Sequence, residues 1–237
     1  MPKPARLIAV FALALSSSAT GAPVSCATPH LLVDLRVDAP KAPASISEAR
    51  RERIGRDIFD GYTEFSVNSV AHGAFTRAGA DETVYLIQRN GPDATDPAGP
   101  RATLAVYADD RLEHAIATRF GNMIEATAEV GGAGVAALLL RADAYQMGSA
   151  TTRLVLVDLA GGQLHERGRF ERARVDACAD ARFGGTVEAD VVRWCTSTGG
   201  EPAFEVARWR AQCVDAKAPG ASAFKPVPAA ADSATEG

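Results

Sequence analysis

Histidines and acidic residues are the first candidates for catalysis or metal binding in this sequence. The chain has 29 acidic residues and 4 histidines, but no His-Glu-x-x-His pair and no Gly-x-Ser-x-Gly elbow. Zinc and serine hydrolases use these local patterns. We therefore predict no catalytic residue, no metal ligand and no cofactor. The histidines are assigned to surface or loop positions: His30, His72, His114 and His165.

Acids that are distant in sequence could still form a catalytic site if the fold brings them together. Two carboxylates that meet in space can hydrolyse a glycosidic bond, one of them acting as the general acid. The second candidate function is therefore a small secreted hydrolase whose active site is assembled only in the fold. The acids considered for such a pair are Asp109, Asp110, Glu125 and Asp143.

The cysteines predict disulfides rather than redox chemistry, because the chain has 4 of them and no Cys-x-x-Cys. A predicted hairpin pairs 186–195 with 203–213 around Gly199-Gly200. That register places Cys195 opposite Phe204, several residues along the ladder from Cys213 and beyond the reach of a disulfide.

Cys178 precedes this hairpin by a short loop and can fold back to Cys213. We therefore predict a Cys178–Cys213 disulfide. Cys195 is then left for a second pair with Cys26, provided that Cys26 survives processing.

Two tryptophans on the same hairpin are candidates for ligand binding. By strand alternation, Trp194 shares a side with Asp190, and Trp209 shares a side with Glu205. Two aromatic rings on the more acidic side of a hairpin predict a platform for sugar or peptide. The alternative is that the helix or neighbouring strands cover both rings.

The N-terminus has the composition of a secretory signal. Lys3 and Arg6 form a basic start, Leu7–Leu15 is apolar, and small residues follow up to Ala22. About nine apolar residues are too few for a membrane span, which needs about 20. We assign 1–22 to a cleaved signal peptide and expect a secreted or periplasmic protein without a transmembrane span.

Charge and the residues before Cys26 bear on the partners. A net charge of −4 disfavours nucleic acid as a general partner. A lipid anchor at Cys26 is an alternative fate for the N-terminus, although Pro23-Val24-Ser25 lacks the Leu that a lipoprotein signal requires. We expect an unknown ligand or a protein partner.

The elements that position these residues begin with a helix. After an N-terminal strand and Pro-rich linker (23–44), the capping-box spacing of Ser45 and Glu48 predicts a helix running to about Phe59. Its arginines are assigned to a solvated face, with a docking patch as the alternative: Arg50, Arg51, Arg53 and Arg56.

The rest of the domain, 45–214, is predicted to be mainly β, in antiparallel hairpins. Besides the cysteine hairpin, the pattern pairs 102–107 with 112–118 around Asp109-Asp110, and 153–158 with 164–170 around Gly161-Gly162. The Ala/Pro-rich tail, 215–237, is predicted to be disordered.

Two glycine-containing segments, 73–82 and 129–137, each precede a strand and a hairpin. Gly79 and Gly134 repeat at a period of about 55 residues, which is typical of propeller blades. Both segments resemble degenerate FG-GAP/VCBS repeats, the blade unit of integrin-type β-propellers. The matching residues are Gly73, Phe75, Gly79, Asp81 and Glu82 in the first segment and Gly132, Gly134 and Leu138 in the second.

In that family the acids of the loop bind Ca²⁺, which takes about six to eight oxygen ligands. Here only Asp81, Glu82 and Glu129 remain, so we predict no calcium site. The chain has room for about three blades of this period, whereas closed propellers have about four or more. We therefore predict an incomplete, β-propeller-like meander with one N-terminal helix, acting as a non-catalytic binding or interaction module.

Overall fold

The computed structural model describes residues 28–38, 41–89, 102–130, 134–179, 185–197, 201–214 and 217–228. These residues form twelve β-strands and one α-helix. The predicted signal peptide, the lipid-anchor alternative at Cys26 and the Gly199-Gly200 turn lie outside the described residues. The elements are β1 (His30–Asp34), α1 (Glu48–Phe59), β2 (Phe65–Gly73), β3 (Glu82–Arg89), β4 (Ala102–Ala108), β5 (Arg111–Thr118), β6 (Met123–Ala128), β7 (Ala137–Gln146), β8 (Ser149–Asp158), β9 (His165–Asp176), β10 (Thr186–Thr196), β11 (Pro202–Gln212) and β12 (Lys225–Pro226).

The strands form two antiparallel meanders. One is a four-stranded sheet in the order β2-β3-β4-β5, and the other runs β12-β11-β10-β9-β8-β7-β6 with β1 added on β10. The antiparallel sheet structure as a whole is strongly curled and forms a half-barrel. This confirms the predicted fold class, which is mainly β and resembles an incomplete propeller. β1 pairs with residues 191–194 of β10, beyond the stretch that β9 covers, and so protects an edge that would otherwise invite pairing with other chains.

The predicted hairpins are present, and their turns follow from residues that tolerate left-handed backbone. Asp109 and Asp110 have φ of 47° and 64° between β4 and β5, and Gly161 and Gly162 have φ of 65° and 74° between β8 and β9. A further hairpin joins β7 and β8 through Met147-Gly148. It carries the strands that matter most for the site below.

α1 begins after Ser47 rather than Ser45, because the Ser47 hydroxyl accepts the hydrogen bond from the Arg50 amide (3.2 Å). Three arginines dock the helix, so their assignment to a solvated face is wrong. Arg50 lies over the rings of Tyr85 and Tyr107.

The other two docking arginines bind backbone carbonyls. Arg51 donates to the Phe65 carbonyl at 2.8 Å and Arg53 to the Asp110 carbonyl at 2.7 Å. Arg56 is exposed. Guanidinium groups at these positions cover apolar and aromatic surface while they bind the chain below, which fixes α1 on the four-stranded sheet.

Strand alternation divides the core into layers. On β3, Tyr85 and Ile87 face the cluster beneath α1, whereas Val84 and Leu86 face a central cluster. β7 continues the stack: Leu138 and Leu140 join the central cluster, and Leu139 joins a third cluster with β1, β10 and β11. The four-stranded sheet is therefore packed between α1 and the strands β6–β8.

The segment 217–228 corrects the prediction of a disordered tail. Phe224 is buried in the third cluster, and Lys225–Pro226 pairs with Trp209 and Arg210. One large apolar side chain in an Ala/Pro-rich stretch is enough to anchor it, which a prediction from composition alone does not capture.

Candidate functional site

An open cleft of about 340 Å³ lies between β7, β8 and β9 and the segment that carries Asp38 and Lys41. We call it the charged cleft. Its lining residues are Asp38, Lys41, Met123, Arg141, Asp143, Ala150, Thr152, Arg174 and Asp176.

The floor of the charged cleft is built from alternate residues of three neighbouring strands. Residues two apart on a strand share a face, and directly opposite residues of antiparallel strands do as well. One row of the floor is Asp143, Thr152 and Arg174, and the next row outward is Tyr145, Ala150 and Asp176. Arg141 lies one row inward, opposite Leu154, where the apolar core begins.

Asp38 joins two buried arginines across the cleft. Its Oδ1 accepts from Arg141 Nη1 at 2.6 Å, its Oδ2 accepts from Arg141 Nη2 at 3.2 Å, and Arg174 Nε lies 3.3 Å from Oδ2. Burial opposes ionisation of Asp38, but the hydrogen bonds and charges of the arginines outweigh it and lower its pKa. Asp38 is therefore a carboxylate held between two guanidinium groups.

The remaining donors of Arg141 are also used. Its Nε lies 2.9 Å from Asp143 Oδ2, and Thr152 Oγ1 donates to Asp143 Oδ1 at 2.6 Å. Burial alone would lower the pKa of Arg141, yet its bonds to Asp38 and Asp143 raise it above the ordinary value. Arg141 as a whole is 9% exposed, and its guanidinium group is held from several sides.

Arg174 is fixed in a similar way. Its Nη1 donates to the Leu35 carbonyl at 2.7 Å and its Nη2 to Asp176 Oδ2 at 3.1 Å. Near the Met123 end, Lys41 Nζ lies 3.0 Å from Glu125 Oε1, and Glu125 Oε2 lies 3.5 Å from Arg141 Nη1. Both arginines of the cleft are thus held by acids that reach them from separate segments.

The hairpin that leaves the cleft carries two exposed apolar side chains. Tyr145 is 72% exposed and Met147 is 89% exposed. Tyr145 lies opposite Ala150 of the cleft lining, on the face that carries Asp143. The outer row of the cleft floor therefore ends in an aromatic ring open to solvent.

The chemistry of the cleft favours binding over proton transfer. The pKa of Asp38 is lowered and that of Arg141 is raised, so both groups keep their charge near neutral pH. Asp143 and Asp176 each bind a guanidinium, yet their side chains remain 45% and 26% exposed. An ionised carboxylate has about four acceptor sites, so both retain acceptors that a ligand can use.

The tryptophan platform predicted from the sequence is wrong. Cys195 lies opposite Ala203, not Phe204, which shifts the hairpin by one residue. A shift of one residue moves side chains to the opposite face. Trp194 consequently pairs with Phe204, and Trp209 with Ala189, on opposite faces of β10–β11.

The contacts of these residues also differ from a ligand platform. The Trp194 ring packs 5.1 Å from that of His30, and Arg36 lies 4.3 Å above the Trp209 ring. Asp190 is buried and bound by Arg208 at 2.8 Å, whereas Glu205 is exposed opposite Arg193.

The predicted Cys178–Cys213 disulfide is confirmed, with the two Cα atoms 5.4 Å apart. Cys195 is buried and disulfide-bonded. Its predicted partner Cys26 lies outside the described residues. Because Cys178 follows Asp176 by two residues, the Cys178–Cys213 bond also anchors the end of β9 that lines the cleft.

The acids of the resembled repeats are separated in the structure. Glu82 is fully buried and accepts hydrogen bonds from the amides of Phe75 (2.6 Å) and Thr76 (2.8 Å), whereas Asp81 is exposed. Glu129 lies at the surface. Within the described part of the chain, no group of three or more His, Cys, Asp or Glu residues is placed to hold a metal ion.

Of the acids considered for a hydrolase, the structure brings Glu125 and Asp143 together around Arg141. Asp109 and Asp110 instead form the β4–β5 turn, where the Asp110 carboxylate binds Arg50. His114 packs against the β8–β9 turn: a Cβ added at Gly162 would lie 2.2 Å from its ring. Its position is structural.

Sequence reasoning missed Tyr145, Arg141, Arg174 and Asp176 as functional candidates. The available signal was the alternation Arg141-Ala142-Asp143-Ala144-Tyr145, in which one face is polar and aromatic and the other face is alanine. Arg174-Val175-Asp176 repeats the Arg-x-Asp spacing on β9. The contribution of Asp38 had no such signal.

No family model, curated protein or solved structure matches this chain. Among the described helices, none has the length and apolar character needed to cross a bilayer.

Proposed function

We propose that this chain is an exported, non-catalytic binding module and that the charged cleft binds a small polar ligand. The observation that carries the proposal is the pair of buried arginines held rigidly by Asp38, Asp143 and Asp176. Fixed polar groups in an open cleft recognise a ligand without a further cost of ordering the site.

Export is supported by the Cys178–Cys213 disulfide, because such bonds persist in oxidising compartments. The sequence of 1–22 supports a cleaved signal peptide. Mass spectrometry of the mature chain distinguishes a cleaved, unmodified N-terminus from lipidation at Cys26.

We further propose that the fold derives from degenerate FG-GAP/VCBS-like repeats. Two features support this relation. β2–β3 and β6–β7 both contain a register shift, and Gly79 and Gly134, in the loops that follow β2 and β6, both have left-handed φ values of 71° and 67°.

The binding proposal is tested with Ala150→Trp, which fills the cleft without removing an ion pair. The matched control is Ala144→Trp, on the exposed opposite face of the same hairpin. NMR spectra are recorded with a panel of monosaccharides, disaccharides, amino acids and polyamines at about 10 mM, a concentration that detects millimolar binding.

We expect at least one compound to shift the amide signals of Thr152 and Arg174 in the wild type and in Ala144→Trp, but not in Ala150→Trp. A panel without any such compound, or a compound that binds Ala150→Trp equally well, contradicts the proposal.

The alternative function is a small secreted hydrolase, favoured by the acids Asp38, Asp143 and Glu125 around Arg141. Turnover of chromogenic glycosides or esters by the wild type, lost in Asp143→Asn, would establish the enzyme and replace the binding module.

A further inference from the structure

We propose that the charged cleft and the exposed ring of Tyr145 form one saccharide-binding site, in which a neutral sugar ring stacks on Tyr145. The hydroxyl groups of the sugar donate hydrogen bonds to Asp143 and Asp176. This inference rests on the proposed binding function and names the class of its ligand.

Tyr145 provides the stacking surface. Its side chain lies on the face of β7 that carries Asp143, directly opposite Ala150 of the cleft lining. Within the described residues, its ring contacts neither another aromatic ring nor a guanidinium group. The face of an aromatic ring carries negative charge density and attracts the weakly positive C–H groups on the flat side of a pyranose.

Asp143 and Asp176 provide acceptors next to that surface. Asp176 lies opposite Ala150, in the same row as Tyr145. Asp143 lies opposite Thr152, in the next row inward. Each already binds a guanidinium, and Asp176 also accepts from the Cys178 amide at 3.0 Å. Hydroxyl groups that donate to such fixed carboxylates form charge-assisted hydrogen bonds.

The charge balance of the lining selects a neutral ligand. Asp38, Asp143 and Asp176 are matched by Lys41, Arg141 and Arg174. An anionic ligand would compete with Asp38 for the Arg141 fork, and a cationic ligand would compete with Arg141 and Arg174 for Asp143 and Asp176. A polyhydroxylated neutral ligand meets neither penalty and uses the exposed acceptors.

The size of the cleft fits one or two sugar rings. Its volume of about 340 Å³ is at the lower end of the range for small-molecule sites, about 300–1,000 Å³. Tyr145 lies opposite Ala150 of the lining, so a second ring bound beside Ala150 can extend over the tyrosine.

The test uses cellobiose and chitobiose as probes, with sorbitol as the control because it has the hydroxyl groups but no flat ring. Affinities are measured by NMR titration of wild type, Tyr145→Ala, Tyr145→Phe and Met147→Ala. Met147 is the matched control, since it is exposed in the turn of the same hairpin, beyond the row of Tyr145, and is not part of the cleft lining.

We expect at least one disaccharide to bind the wild type and Met147→Ala with affinities within about twofold, and Tyr145→Ala about tenfold or more weakly. Tyr145→Phe retains binding because it keeps the ring, and sorbitol binds more weakly than the disaccharide. Asp143→Asn weakens the same disaccharide by removing a charged acceptor.

Two outcomes overturn the inference: no disaccharide binds the wild type, or Tyr145→Ala binds as tightly as the wild type. If an amino acid or polyamine instead binds in a manner blocked by Ala150→Trp, the saccharide assignment fails while the binding function stands. If nothing binds, both fail together.

Discussion

The Glu82 loop and the charged cleft are both organised by carboxylates that accept several hydrogen bonds, but only one of them is open. By the Glu82 loop we mean 74–81 together with Glu82. Glu82 is fully buried and binds the amides of Phe75 and Thr76 and the Thr76 hydroxyl. Asp143 in the cleft binds Arg141 on one side and is half exposed on the other.

The difference shows what a carboxylate does in each place. Glu82 has its acceptors directed at its own loop, which also receives the Ala136 amide at the Ala74 carbonyl (2.6 Å) and the Gly161 amide at the Thr76 carbonyl (3.0 Å). The Glu82 loop is therefore bonded to two other connections of the fold, the one before β7 and the one between β8 and β9. Asp143 and Asp176 retain acceptors that face solvent, so the cleft can bind a molecule from outside.

Glu82→Ala is the sharpest test of this contrast and has the largest expected effect. The substitution leaves two buried amides and a hydroxyl without their acceptor, and we expect a loss of about 3 to 5 kcal/mol in the free energy of unfolding. Urea denaturation measures it. Asp81→Ala, at the exposed neighbour, should change stability by less than about 0.5 kcal/mol.

The response to calcium tests the same comparison, because FG-GAP/VCBS repeats, which this loop resembles in sequence, bind calcium in the corresponding loop. If Glu82 itself holds the loop, calcium chloride and chelator leave the unfolding curve of the wild type unchanged. Calcium-dependent stability, or Glu82→Ala no less stable than Asp81→Ala, would show that the loop is held by something else.

Asp38→Asn tests the cleft side of the comparison. Asp38 connects to Arg141 across 103 positions of sequence, so its removal weakens the attachment of the N-terminal segment to β7 and β9. We expect a loss of about 1 to 2 kcal/mol, smaller than for Glu82 because the cleft is open to water. Asp34→Asn is the control, since Asp34 binds Arg36 only two residues away, and should cost about 0.5 to 1 kcal/mol.

The pH dependence of Asp38→Asn has a defined sign. The pKa of Asp38 lies below its ordinary value of 3.8 in the folded protein. Its ion pair therefore stabilises the fold fully above that pH and is lost as the pH falls through the lower, folded value. Urea curves at about pH 7 and pH 2 should show the difference from wild type shrinking at the acidic end. A difference that persists at the acidic end would mean that the carboxylate charge is not what Asp38 contributes.

The sequence sufficed where local rules decide the structure. Asp109-Asp110 and Gly161-Gly162 located two hairpins, and the reach of a disulfide excluded Cys195–Cys213 and favoured Cys178–Cys213. These inferences needed only strand alternation, turn residues and bond geometry.

It failed where a single register or a distant contact decides. The residue pattern between β10 and β11 does not specify which residue lies at the centre of the turn. An error of one residue in the predicted register placed Trp209 on the same face as Trp194, whereas the two lie on opposite faces in the structure. The charged cleft needs Asp38 beside Arg141, a contact that no local pattern encodes. The pattern of β7 showed the polar face but not what would cover it.

Met147→Asn has the smallest expected effect and an opposite sign. Met147 adopts φ of 49° in the β7–β8 turn, a conformation that asparagine tolerates far better than methionine. We expect a gain of about 0.5 to 1 kcal/mol in the free energy of unfolding, measured by urea denaturation. Asp109→Asn, in a turn that already carries a tolerant residue, is the control and should be nearly neutral.

The stability gain expected of Met147→Asn would show that the β7–β8 turn and the charged cleft contribute independently to stability and to binding. Because Met147 is exposed and lies beyond the row of Tyr145, relieving its backbone strain should leave disaccharide affinity unchanged. Stabilisation without a change in affinity would place the binding contribution of the hairpin in Tyr145 alone. A loss of affinity would instead show that the strained turn itself orients the ring of Tyr145. The binding site would then include the β7–β8 turn as well as the charged cleft.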